Sequence, residues 1–141
     1  QVLDALRPQI DGLNTNDAAN ALLHFIHQGF KYQRDGEQFG AEKPFFVEEI
    51  FYYPFCDCED RSVLYSFLVH NLLDLDVVLL SYPNHSCTAV ALPAEPANGY
   101  SCVEFEGKRY YVCDPTFIGS DIGMCQTSFK GMLPKKVAKW Y

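Results

Sequence analysis

The sequence predicts an α+β domain, N-terminal helices packed on an antiparallel β-sheet. Three observations carry this reading. Apolar residues recur at helical spacing over 18–26 and again over 63–72. Short apolar runs punctuated by turn signals follow from residue 77 onward. The two patterns are segregated along the chain instead of interleaved, as a parallel βαβ fold would require. With 141 residues the chain makes one domain, 1–141, and its start at Gln1 reads as a mature form or a domain excised from a longer protein.

The first helix is expected over 14–28. Asn14 and Asp17 form an N-x-x-D start, Ala18, Ala21, Leu22, Phe25 and Ile26 make the apolar face, and Gly29 is a stop. His24 and His27 fall in this helix and read as surface or boundary histidines. Phe30–Asp35 reads as extended, ending at the turn Asp35-Gly36. Residues 36–50 read as a long ordered loop, with a short helix near Val47–Phe51 as the other option. The aromatic cluster Phe51-Tyr52-Tyr53-Pro54-Phe55 follows. A second helix is expected from Cys58 to Leu73, capped by Asp57, with Val63, Leu64, Phe67, Leu68 and Leu72 buried. Strands are expected at Val77–Ser81 and His85–Leu92, and as a hairpin of Tyr100–Glu106 and Arg109–Cys113 turning at Gly107-Lys108. The tail from Pro115 reads as irregular and surface-wrapping.

Composition excludes several functions. Lys plus Arg number 11 against 18 Asp plus Glu, a net charge of −7, which argues against nucleic-acid binding and against docking on anionic lipid. No apolar run reaches the roughly 20 residues that span a bilayer. The hydrophobic fraction of 48% argues against disorder over most of the length. Six cysteines are present, but Cys56-Asp57-Cys58 lacks the second short-spaced Cys/His pair of a zinc site, and no H-x-x-x-H or H-E-x-x-H occurs. Neither a metal nor a cofactor is expected. Cys87, Cys102 and Cys113 read as strand residues that fill the core.

A nucleophilic cysteine needs a favoured thiolate and a base. Cys58 is expected in the first turn of its helix, where backbone N–H groups favour negative charge. Glu59 and Asp60 work against it, so a cationic partner is required. His70 lies on the same helix about 18 Å away and is excluded. His85 opens a strand after a turn and is the remaining choice. Asp114, ending a strand before Pro115, is the group to orient the imidazole. The two meet at one sheet end only if residues 93–99 are an excursion within one long strand; a plain meander would separate them.

The segment Phe55-Cys56-Asp57-Cys58-Glu59-Asp60-Arg61-Ser62 resembles the D-C-E-D-x-[SA] box of the transglutaminase-like superfamily. Asn84-His85-Ser86-Cys87-Thr88-Ala89-Val90 resembles its His box, and Cys113-Asp114-Pro115-Thr116 resembles its D-P-T box. Cys56 stands where the family often has Gly, and Ser86-Cys87 where it commonly has a small residue and Trp. The chain looks most like the bacterial cysteine-enzyme branch. The resemblance implies a papain-like, transglutaminase-like core. It implies Cys58 as nucleophile, His85 as general base and acid, and Asp114 as orienter. The activity it implies is acyl transfer or hydrolysis on peptide or protein amides through a thioester, peptidase or amidase more than cross-linker. Tyr53 and Tyr52 are the candidate oxyanion donors, beside the backbone N–H of Cys58. A non-catalytic binding or structural module keeping the same fold is the alternative. The compartment stays open, with an inclination to the bacterial envelope or extracytoplasm, and the oligomeric state is not legible.

Overall fold

Asn14 sets the first well-defined boundary in the chain. Its Oδ1 accepts the backbone N–H of Asp17 at 2.8 Å while its amide donates to Asp17 Oδ2 at 3.0 Å. One of the orphan donors of a helix start is thereby satisfied. A computed structural model of the protein describes residues 2–29, 31–32, 55–56, 58–93 and 100–140. Three helices are found among them: α1 (Val2–Ile10), α2 (Thr15–Gly29) and α3 (Cys58–Leu73). The sequence pattern predicts no element over α1, which seats Leu6 in the core.

Helix α3 differs from the amphipathic helix expected of it. Leu64, Tyr65, Leu68 and Val69 are buried as apolar core, but Asp60, Arg61, Ser62 and Ser66 are buried as well. The helix packs between α2 and the sheet, yet Val63, Phe67 and Leu72, expected to be buried, are only half-buried, and Glu59 and Asn71 are exposed. The Tyr65 hydroxyl donates to the Ala19 carbonyl at 2.9 Å, and Ser66 returns its hydroxyl to the Ser62 carbonyl at 2.8 Å, so these polar groups keep partners inside.

Short strands β1 (Lys31–Tyr32) and β2 (Phe55–Cys56) pair in parallel just ahead of α3. The main sheet is built from β3 (Val77–Tyr82), β4 (His85–Val90), β5 (Cys102–Phe105), β6 (Lys108–Cys113) and β7 (Lys136–Lys139), in the order β5-β6-β4-β3-β7, antiparallel throughout. The α+β expectation therefore holds. The Glu106-Gly107 turn has both φ positive, at 51° and 78°, the geometry that suits a tight hairpin, and it falls one residue earlier than expected. The edge strand β7 lay in the tail read as irregular.

The sheet has two covered faces. Val77, Val90 and Cys113 face the helices with Leu22, Leu23, Ile26 and Leu64. Val78, Leu80, Tyr82, Cys87, Ala89, Tyr110 and Val112 form the second face, against which Phe129, Val103, Phe105 and Cys125 pack. Each fully buried Leu or Val side chain on either face contributes roughly 1.5–3 kcal/mol. Cys102 is a correction to the core reading: it is exposed on β5, the edge strand.

Strand order resolves the topological condition on His85 and Asp114. β6, not β5, lies beside β4, with Thr88 opposite Cys113 and Val90 opposite Tyr111. Both residues therefore sit at the same end of the sheet. The excursion within one long strand is not what achieves this. β4 and β5 are separate strands that run the same way, with β6 inserted between them. The proposed short helix near Val47–Phe51 lies outside the described residues, as do 94–99 of the Pro-rich segment.

Replacing Asn14 by Ala should cost about 1 kcal/mol of stability. Urea unfolding would read this as a lower midpoint at unchanged slope.

Candidate functional site

Strand alternation decides where the candidate residues point. His85 shares the parity of Cys87 and Ala89 on β4, and Asp114 that of Tyr110 and Val112 on β6, so both belong to the second sheet face at its end. His85 Nε2–H donates to Asp114 Oδ2 at 2.7 Å, the short range of a charge-assisted bond. The side chains are 9% and 2% exposed, so the pair is shielded from solvent.

The carboxylate is held on every side. Oδ1 accepts the backbone N–H and the hydroxyl of Thr116, each at 3.0 Å, which is the local turn that Asp-Pro-Thr favours. Oδ2 also accepts the Gln126 side-chain amide at 3.2 Å. The Asp114 carbonyl accepts His27 Nε2–H at 3.0 Å. The imidazole of His85 is covered by Phe129, stacked with ring centroids 4.9 Å apart and planes 8° from parallel, and Phe129 in turn lies against Tyr82. Phe129 closes the short 3-10 helix Thr127–Phe129, so one tail segment, 126–129, grips both members of the pair.

Helix α3 reaches this end of the sheet through its first turns. The Arg61 guanidinium is fully buried and donates from Nη1 to the Pro115 carbonyl at 3.3 Å. The Ser62 hydroxyl donates to the Ser86 carbonyl at 3.4 Å. Cys58 begins α3, one turn before Ser62. The Cys58 side chain lies outside the described residues, as do Tyr52 and Tyr53, so the described geometry brings together His85 and Asp114 of the sequence-derived set. Asp57, the expected cap, is likewise outside them.

Other thiols near the site are poor nucleophiles. Burial pushes the Cys113 thiol up to about 12, and burial followed by the Asp114 charge raises Cys125. Burial is also the leading cause that raises the Tyr82 hydroxyl, which stays protonated.

Sequence reasoning missed four contributors. His27 read as partnerless, but helical packing brings it to a carbonyl far along the chain, and it is buried. Its neighbour His24 bonds Asp121 at 2.8 Å on the surface. Gln126 and Phe129 come from a tail with no periodic pattern, and Arg61 lies in the D-C-E-D-x-[SA] segment without a role of its own in the sequence reading. Thr116 alone had a signal, as the last residue of the D-P-T box.

A metal was not expected, yet His85, Cys87 and Asp114 bring one potential ligand atom each to within 4.8 Å of one another. Spacing rules look along the sequence, and this cluster assembles across two strands. In comparisons with known proteins, no protein-family model, no curated protein and no solved structure matches the chain.

Burial lowers the basicity of His27, its leading cause, outweighing the Asp114 carbonyl that favours the protonated ring. Below the unfolded value of 6.5 the unfolded chain takes up a proton that the folded ring resists, so stability falls as pH drops from about 7 through that range. His27→Asn should flatten this slope, as read from urea midpoints between pH 7.5 and 5.5. Gln126→Leu leaves Asp114 Oδ2 one donor short and should cost about 1 kcal/mol of stability, read as a lower urea midpoint.

Proposed function

We propose that Cys58, His85 and Asp114 form a thiol acyl-transfer site on a papain-like, transglutaminase-like core, acting on peptide or protein amides. One observation supports this most. The first turns of α3 are tied by Arg61 to the residue after Asp114 and by Ser62 to the residue after His85. The helix that Cys58 opens is thereby anchored at the sheet end where the imidazole and carboxylate pair.

The chemistry follows from that arrangement. Asp114 takes the Nε2–H of His85, which fixes the tautomer and turns Nδ1 to the exchange of a proton with the thiol. The thiolate attacks the amide carbonyl. The imidazolium then gives its proton to the departing amine, leaving a thioester. Water resolves the thioester in hydrolysis, and an amine resolves it in transamidation. Backbone N–H groups at the start of α3 suit the oxyanion of the tetrahedral intermediate, with Tyr53 or Tyr52 as second donor. Because the imidazole belongs to the second face of the sheet and α3 packs on the first, the thiol meets the ring around the sheet end, not through it.

Reaction with iodoacetamide at pH 6 tests this reading. An ordinary thiol is only about 0.3% ionised there, so an ion-paired Cys58 should react about 100-fold faster than free cysteine. The enhancement should vanish in His85→Ala and fall by about tenfold or more in Asp114→Asn. Slow labelling spread over several cysteines, unchanged by either substitution, would leave a binding or structural module in place of an enzyme.

A further inference from the structure

We infer that His85, Cys87 and Asp114 form a Zn2+ site, and that the ion, once bound, holds the imidazole and carboxylate out of catalysis. The second half of this inference rests on the function proposed above; the first half does not.

The cluster is the one of its kind among the described residues. His85 and Cys87 stand two apart on β4 and so project from the same face, and Asp114 follows the end of the neighbouring strand β6. Imidazole nitrogen, thiolate and carboxylate oxygen are the donor types zinc prefers. With one thiolate and one carboxylate, a divalent ion gives a site of zero net charge. That matters here, because Cys87 and Asp114 are each 1% exposed and a buried net charge would be costly.

The geometry is close to what zinc needs. Bonds of 2.0–2.3 Å put ligand atoms roughly 3.3–3.7 Å apart around the metal. Against a present spread of up to 4.8 Å, side-chain movements of about an ångström close the site. Three protein ligands leave a fourth position for water. Thr116 on Oδ1 already orients the carboxylate as an outer-sphere partner orients a metal ligand. The proton balance is simple. Cys87 releases its thiol proton to solvent as the Zn–S bond forms. The imidazole stays neutral: the ion takes Nε2, and the proton that Nε2 held toward Asp114 passes through solvent to Nδ1. Ligation replaces the His85–Asp114 hydrogen bond, so the ring can no longer act as a base toward Cys58.

Cobalt(II), which replaces zinc in such sites, reports thiolate ligation through a near-ultraviolet charge-transfer band and intense visible bands. Titrating the full chain at pH 7.5, these bands should appear in the wild type and in Cys58→Ala, and Zn2+ should bleach them. In Cys87→Ala they should be lost, with binding about 100-fold weaker. Bands that survive in Cys87→Ala, that disappear only in Cys58→Ala, or that never form in the wild type would overturn the site. If Cys87→Ala fails to fold by circular dichroism, Cys87→Ser serves the same comparison. In parallel, Zn2+ should slow alkylation of Cys58 in the wild type and not in Cys87→Ala. Cobalt bands that depend on Cys87, together with alkylation indifferent to Zn2+ and to His85→Ala, would keep the zinc site and discard the catalytic reading.

Discussion

The fold closes on one buried carboxylate. Asp114 accepts hydrogen bonds from His85 on β4, from both donors of Thr116 in its own turn, and from Gln126 in the tail. Its carbonyl accepts a further one from His27 on α2, while the next carbonyl, of Pro115, takes the buried Arg61 of α3. Two helices, two strands and the C-terminal segment are therefore tied together within two consecutive residues. Loss of the carboxylate would leave several donors stranded in a region that water scarcely reaches.

Such an arrangement is an expensive way to stabilise a domain. Removing an ion from water costs several kcal/mol after relaxation, and an apolar pair of the same volume often does as well. The main core already has what it needs in Leu22, Leu23, Leu64, Leu68 and Val90, all buried on the helix-facing side. A charged knot at the sheet end, with an imidazole covered by an aromatic ring and bonded at 2.7 Å, is better explained by what it holds in position. The same features that would suit His85 for proton transfer, a fixed tautomer and a dry surrounding, also bring it near a thiol and a carboxylate in a cluster suited to a metal. The two proposed roles share the His85 imidazole and the Asp114 carboxylate, and each would exclude the other.

Much of this was written locally in the sequence. The start of α2 was legible because Asn14 and Asp17 satisfy each other over three residues. The hairpin of β5 and β6 was legible from its alternation and from Gly107. His85 and Asp114 were legible because each follows or precedes a strong turn signal. What escaped was non-local. Strand order depends on which surfaces pair, and the local pattern of β4, β5 and β6 fits a meander as well as the insertion found. Arg61 escaped because helix periodicity marks the apolar face and gives no sign that Asp60, Arg61, Ser62 and Ser66 are buried too. Gln126 and Phe129 act from an irregular segment, where neither period nor propensity marks a partner. His27 gained its bond only through the packing of α2 against the turn at residue 114.

The account depends on the Cys58 sulfur coming round the sheet end to the imidazole. A crystal structure of the full chain, refined well enough to fix that sulfur and the His85 ring, measures this directly. The predicted result is Sγ of Cys58 within hydrogen-bond reach of His85 Nδ1, about 3–4 Å or bridged by one water, with Nε2 still on Asp114. A sulfur on the helix-facing side of the sheet, beyond the reach of a bridging water, would contradict it.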